Sequence, residues 1–318
     1  MGWVKKILII GLVYSNVVFG QSYPTKPVRW VSPAPGASGD FTARLISQNL
    51  ASGLGQPVIV DNRVGYGAID AVVKAPPDGY TFLVYGSTLW TAPLLESVFW
   101  DVERDLMPVA LLNSTPSTVV VHPSLPVRSV KALIDLARAR PGVLNCGSAP
   151  TGSSQNLAAE FFKSLAAVNF LSVPYKSSGA AQIGLIGGEV DLLFPPIGSV
   201  IGHVKSGRLR LLAVASDRPV SFLPGVPTVK ASGLPGYEFA TVVGLFAPAH
   251  TPSVMVHRIN REVMSVLRRE SVAQRFLNEA LELELGEPER LAKRMALEVE
   301  RFSQLIDKAG LRQRKTPP

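Results

Sequence analysis

The chain has 318 residues, of which 47% are hydrophobic and 18% are charged. This composition excludes an intrinsically disordered protein and leaves room for two domains with a sizeable core. The formal net charge is +8 at pH 7, but the basic residues are scattered, and many lie beside Glu at 258–275 and 290–315. Such a distribution is typical of solvated helix faces, so we expect no nucleic-acid partner.

The N-terminus has the pattern of a secretory signal peptide. Lys5 and Lys6 precede the apolar run ILIIGLV at 7–13, and Val18 and Gly20 stand at the two positions that a signal peptidase inspects. The apolar run is too short for a membrane-spanning helix. We therefore predict a signal peptide at 1–20, cleavage near Gly20 and Gln21, and a mature protein in the periplasm.

Strand-like apolar runs alternate with amphipathic helix patterns almost to the end of the chain. Alternation of this kind predicts parallel sheets covered by helices. The predicted strands are at 28–32, 57–61, 81–85, 107–112, 118–122, 143–147, 169–173, 190–194, 209–214 and 238–246. The predicted helices are at 40–53, 67–75, 130–140, 154–166, 179–187, 253–269, 272–280 and 288–309.

Two points along the chain suggest a division into lobes. Pro123 and Pro126 suggest that the chain crosses from one lobe to the other near 122. The long apolar run at 238–248 suggests a second crossing, back to the first lobe. We therefore predict one lobe from 21–122 plus 242–318 and an inserted lobe at 123–241. The predicted fold class is α/β, with each lobe a mostly parallel sheet flanked by helices.

Two of the strand-to-helix units repeat one design. VRWVSPAPGASGDFTARLISQNL at 28–50 and VLNCGSAPTGSSQNLAAEFF at 143–162 each pass through a loop of Gly, Pro and hydroxyl residues into a helix. A helix N-terminus carries about half a positive charge and has about four N–H groups without intrahelical partners, so it can bind an anion without Lys or Arg. The alternative is two ordinary N-caps, Asp40 and Ser153 or Ser154. The pair of loops favours an anion held between the two lobes.

Patterns for catalysis and metal binding are incomplete. The loop at 147–154 has the glycine spacing of a P-loop, but Ser153 stands where that motif needs Lys. None of the four histidines has metal-ligand spacing from another His, Cys or carboxylate, and we expect no metal, no cofactor and no enzyme activity. A serine hydrolase built from Ser38 or Ser154 remains as an alternative. The segment Gly36 to Gly39 does not match the nucleophile elbow, because it lacks the second glycine in the register that this motif needs. A third strand-to-helix loop, made of Asp61-Asn62-Arg63 and Gly65-Tyr66-Gly67, is either a plain turn or a pocket wall.

Several segments together resemble one protein family, the extracytoplasmic solute-binding receptors of tripartite tricarboxylate transporters, or Bug-type proteins. The resemblance rests on YPTKPVRWVSPAPGASGDFTARL, LGQPVIVDNR, PPDGYTFLV, PSLPVRSVKALIDLAR, VPYKSSGAAQIGLIGGEVDLLF, GRLRLLAVASDRP, LPGVPTVKASGLPGYE and GLFAPAHTP, which cover essentially the whole mature chain in order. It implies a two-lobed periplasmic-binding-protein fold that closes, like a Venus flytrap, on a small organic carboxylate. It also implies delivery of that ligand to a two-component membrane permease.

The resemblance implies that the ligand binds at two loops, 35–40 and 151–156, and at a helix start, 175–179. Two single positions, Trp90 and Pro195, are added to this site. Asn156 stands where a His is frequent, and Pro195 stands where many members have Asp. The latter difference favours a simple mono- or dicarboxylate over an α-amino acid. For Trp90, ordinary packing at the rim is the alternative to a place in the cleft. The expected ligand-binding residues are Pro35, Gly36, Ala37, Ser38, Gly39, Asp40, Trp90, Thr151, Gly152, Ser153, Ser154, Asn156, Tyr175, Ser178 and Pro195.

The sequence leaves one functional alternative open within the same fold. A periplasmic protein that presents its ligand to a sensor kinase would need the same lobes and the same anion site. For either role we expect a monomer.

Overall fold

The computed structural model describes residues 23–34, 38–148, 153–220 and 222–309. The predicted signal peptide at 1–20 lies outside these residues. Within the described part of the chain, no helix has both the length and the apolar character needed to cross a membrane.

The strands and helices are numbered in chain order. The strands are β1 Val28–Ser32, β2 Val58–Asn62, β3 Thr81–Gly86, β4 Leu106–Pro116, β5 Thr118–Val121, β6 Asn145–Ser148, β7 Leu171–Pro174, β8 Leu192–Leu193, β9 Arg210–Val214, β10 Ala240–Pro248 and β11 Glu282–Gly286. The helices are α1 Ser38–Leu54, α2 Gly67–Val73, α3 Thr88–Thr91, α4 Val102–Asp105, α5 Val130–Ala139, α6 Ser154–Ala166, α7 Ser178–Ile186, α8 Ile197–Lys205, α9 Ser253–Leu267, α10 Glu270–Asn278 and α11 Pro288–Ala309.

The strands form two mixed sheets. The six-stranded sheet has the order β11-β4-β10-β3-β1-β2, and the five-stranded sheet has the order β7-β6-β8-β5-β9. In the first, β1 is parallel to β2 and β3, whereas β10 is antiparallel to β3 and β4, and β11 is antiparallel to β4. In the second, β6 is parallel to β7 and β8, whereas β5 is antiparallel to β8 and β9. The α/β class is confirmed, with β5, β10 and β11 reversed relative to the expected parallel arrangement.

The reversed strands β5 and β10 follow from how the chain passes between the sheets. Strand β4, an interior strand of the first sheet, ends at Pro116, and after Ser117 the chain continues directly into the second sheet as β5. It returns after Phe239 as β10 in the same manner. The backbone N–H of Ser117 donates to Phe239 O at 2.8 Å, and Ala215 N–H donates to Ser117 O at 2.8 Å. These bonds join the two crossings side by side.

The crossings lie a few residues before the predicted ones near 122 and 242. Because β5 pairs with β8 and β9, residues 118–121 belong to the five-stranded sheet. The division of the chain into two lobes that move as units stays a prediction.

Each sheet carries its own core. One face of the six-stranded sheet packs against α1, α9 and α10, and the other packs against α2, α3 and the first half of α11. Leu291 and Met295 of α11 belong to this first core, whereas Phe302 and Ile306 pack into the core of the five-stranded sheet. The C-terminal helix therefore joins both cores, although the sequence placed it in the first lobe alone.

Candidate functional site

The α1 start lies directly over the ends of two strands. Gly39 and Asp40 are buried there, and a Cβ added at Gly39 would lie 3.1 Å from Pro33 Cδ and 3.5 Å from Val84 O. Glycine therefore allows the first turn of α1 to approach β1 and β3 closely. The predicted site residues Pro35, Gly36 and Ala37, and the Ser38 side chain, lie outside the described part.

The α6 start is tied to the end of β6. Ser153 Oγ accepts a hydrogen bond from Asn156 N–H at 3.3 Å, so Ser153 is the N-cap. The buried Asn156 side chain donates from Nδ2 to Ser148 Oγ at 3.0 Å. These contacts fix the first turn of α6, where Ser154 is half-buried. Thr151 and Gly152 lie outside the described residues.

The strands that lead into the two helices end on the side of each sheet that faces the other sheet. Gly86, which ends β3 beside β1, pairs with Val243 near the start of β10, and Pro116 pairs with Ala240. In the second sheet the first residue of β5, Thr118, donates from its N–H to Pro195 O at 2.9 Å. The carboxyl ends of β1 and β6 therefore face the strand crossings. Ligands of open α/β sheets bind at such carboxyl ends.

The remaining predicted residues of the second half have structural contacts of their own. Tyr175 Oη donates to Glu189 Oε2 at 2.9 Å. Ser178 is the first residue of α7, but the N-cap is Ser177, whose Oγ accepts from Ala180 N–H at 3.2 Å. Pro195 is buried, and its carbonyl oxygen also accepts from Thr118 Oγ1 at 2.9 Å.

Trp90 is buried against the C-terminal helix. Its exposed fraction is 3%, its indole Nε1–H donates to Glu298 Oε2 at 2.9 Å, and its ring centroid lies 6.2 Å from that of Phe246. Burial raises the pKa of the Glu298 carboxyl, an effect opposed by Arg294, whose Nε donates to Oε1 at 2.8 Å. These contacts favour the packing interpretation of Trp90 over a place in a cleft.

The sequence analysis missed three buried polar side chains near the junction. Asn113 and Thr115 lie on β4 beside the crossing, and Gln155 lies in the first turn of α6. Asn113 Oδ1 accepts from Thr42 Oγ1 at 2.9 Å, but Asn113 Nδ2, Thr115 Oγ1 and both amide atoms of Gln155 have no hydrogen-bond partner among the described residues. An unpaired buried polar group costs about 1–3 kcal/mol, so a ligand or water that reached these atoms would be stabilised. The only signal in the sequence is the polar triplet 113–115 inside an apolar strand.

The described side chains offer neither a metal site nor an exposed thiol. No group of three His, Cys, Asp or Glu residues among them could hold a metal ion. Cys146, on β6, is buried, and burial raises the pKa of its thiol to about 12.

Cys146 is therefore expected to resist alkylation in the folded protein. Because the thiolate is the reacting species, iodoacetamide at pH 8 should modify the native protein at least about tenfold more slowly than the urea-unfolded protein. Mass spectrometry of timed samples measures both rates. Equal rates in the two states would contradict the buried placement of this thiol.

Comparisons with known proteins agree on one family. The family model described as the tripartite tricarboxylate transporter family receptor matches residues 42–311. Protein BugT of Bordetella pertussis is 30% identical, with 98% of this chain and 99% of that protein covered. The R. palustris protein Rpa4515, solved with adipate, superposes with a TM-score of 0.81 at 32% identity, covering 91% of this chain and 98% of that one.

A second solved structure has the same fold over a similar length. MatC (Rpa3494) from Rhodopseudomonas palustris, with bound malate, has a TM-score of 0.76 at 27% identity and covers 89% of this chain and 100% of that one. Three findings lead to one conclusion: the family model matches most of the chain, one relative matches over its full length, and the two-sheet architecture is shared. The protein belongs to the tripartite tricarboxylate transporter receptor family of solute-binding proteins.

Proposed function

We propose that the protein captures a small organic mono- or dicarboxylate between its two lobes and delivers it to a two-component membrane permease. The observation that carries the proposal is that β1 and β6, the strands that lead into α1 and α6, both end on the side of their sheet that faces the strand crossings. Helix N-termini supply N–H donors and a positive field for an anion. The adipate and malate bound to the two related structures support a carboxylate as the ligand.

Export of the protein to the periplasm is part of the same proposal. The charged, apolar and small-residue pattern at 1–20 supports a cleaved signal peptide. Two structural relatives are described as a periplasmic transporter and a periplasmic binding protein, BugD. The proposed role is binding without turnover, by a monomer.

A carboxylate ligand is expected to stabilise the protein against heat. Binding to the folded state alone adds RT ln(1 + [L]/Kd), which is about 2.7 kcal/mol at a hundredfold excess over Kd. Differential scanning fluorimetry with a panel of organic acids that includes adipate and malate measures the shift in Tm. Adipamide and neutral sugars are the controls, because they lack the negative charge that helix N-termini select.

Two results would contradict the proposal. One is a panel in which only neutral solutes raise Tm, and the other is turnover of a bound ester or acid, which would favour a hydrolase. Small-angle scattering with the stabilising acid tests the two-lobed clamp, since closure should reduce the radius of gyration. An unchanged radius at saturation would instead indicate a preformed pocket in one lobe.

A further inference from the structure

A hydrogen-bonded network joins β1, β2 and the first turn of α1. The amide Nδ2 of Asn62, at the end of β2, lies 2.9 Å from Ser32 Oγ, 2.6 Å from Pro33 O and 2.7 Å from Asp40 Oδ1. Arg44, one turn further along α1, donates from Nε to the same Asp40 oxygen at 2.8 Å and from Nη2 to Asn62 Oδ1. Asn62 thus connects the end of β1 to the start of α1.

The negative charge of Asp40 is unfavourable for an anion site at the start of α1. Its side chain is 7% exposed and carries its carboxylate in the first turn of α1, where the helix N-terminus would attract an anionic ligand. A buried carboxylate near that position repels the ligand and occupies part of the same positive field. Arg44 supplies the opposite charge from the solvent side, with 49% of its side chain exposed.

We propose that Asn62 and Arg44 are positioning residues of the carboxylate site. Asn62 holds the first turn of α1 against the end of β1, and Arg44 neutralises the charge of Asp40 so that an anion can approach. Asp40 then acts through this network rather than by touching the ligand. The inference rests on the proposed function, but its first part concerns the ligand-free protein as well.

Hydrogen exchange of the full-length ligand-free protein tests the first part. In Asn62→Ala, amides in peptides covering 39–46 should exchange severalfold faster than in the wild type, because the link to β1 is lost. Asn49→Ala is the matched control, since Asn49 Nδ2 donates to Leu45 O at 2.9 Å, a contact that stays within α1. Equal exchange in Asn62→Ala and the wild type would show that Asn62 does not position this turn.

Calorimetric titration with adipate tests the second part. Arg44→Met should weaken binding by about 10- to 100-fold, because Asp40 loses its compensating charge. Asp40→Asn should bind as tightly as the wild type or more tightly. The double variant Asp40→Asn/Arg44→Met should return to within about threefold of the wild type, as expected when two residues act as a pair.

A second ion pair with the same spacing provides a control. It distinguishes a loss of affinity caused by the uncompensated charge of Asp40 from one caused by a less stable protein. Arg258 Nη1 lies 2.9 Å from Glu262 Oε1 on α9, also at i and i+4, and Arg258 Nη2 donates to Gly53 O at 2.9 Å. Arg258→Met removes an ion pair of the same spacing and should leave the affinity for adipate unchanged, whatever its effect on Tm.

Each outcome decides between the roles. Loss of affinity in Asp40→Asn would indicate that Asp40 contacts the ligand directly. Wild-type affinity in Arg44→Met would show that the charge of Arg44 does not help the ligand to bind. Should the wild type bind none of the organic acids in the panel, the proposed function is wrong, and the exchange experiment still decides the role of Asn62.

Discussion

Phe162→Ala is expected to lower the free energy of unfolding by about 3–5 kcal/mol, the range for truncating a buried aromatic side chain. Phe162 lies on α6 and has no exposed surface. Its ring centroid lies 5.1 Å from that of Phe194 and 5.5 Å from that of Tyr237, so alanine would leave a cavity at the centre of the second core. Urea unfolding followed by circular dichroism measures the loss.

A surface aromatic provides the control for this loss. Phe99 is 54% exposed and contacts Trp100 with a centroid separation of 4.9 Å. Phe99→Ala should therefore cost less than about 1 kcal/mol, as is usual for substitutions outside the core. Losses of similar size in the two variants would contradict the placement of Phe162 in the packed core of the five-stranded sheet.

Trp90→Ala is expected to cost about 3–5 kcal/mol, because it removes a buried ring that packs near Phe246. Trp90→Phe should cost about 1–3 kcal/mol, since it keeps most of the ring but leaves Glu298 without its indole donor. Under the packing interpretation, Trp90→Phe retains the affinity for adipate. Chemical unfolding and calorimetric titration of the same preparations give both quantities.

Trp100→Phe is the matched control for the hydrogen bond. Trp100 is also 3% exposed, but its Nε1–H donates to a neutral acceptor, Leu89 O, at 2.9 Å. Because a hydrogen bond to a charged group is roughly twice as strong as one to a neutral group, the loss in Trp100→Phe should be smaller. If Trp90→Phe instead keeps full stability and loses affinity, Trp90 belongs to the ligand site.

Local sequence patterns determined most of the secondary structure. Strand β1, helix α6 and helix α11 have the predicted bounds, because each combines a clear hydrophobic period with an end signal such as the Ser153 cap. These signals depend on residues within a few positions of one another.

Elements that depend on distant partners were not predicted. Helix α8 contains Gly198 and Gly202, which disfavour a helix, yet a Cβ at Gly198 would lie 2.9 Å from Glu279 O, so its close packing requires glycine. Strand β11 exists because it pairs with β4 at the sheet edge. The prolines and the apolar run indicated the crossings, but the reversed directions of β5 and β10 depend on pairing with strands far away in the chain.

The candidate site divides in the same way. The two glycine- and hydroxyl-rich loops were visible in the sequence because a strand, a flexible loop and a helix start are contiguous there. The hydrogen-bond partners of individual side chains were not visible, because they lie far away in the sequence. Trp90 pairs with Glu298, Asp40 with Asn62, and Asn113 with Thr42. The sequence by itself predicted which two helix starts could bind an anion. Only the tertiary structure decided which polar side chains are already paired, because hydrogen-bond geometry depends on segments far apart in the chain.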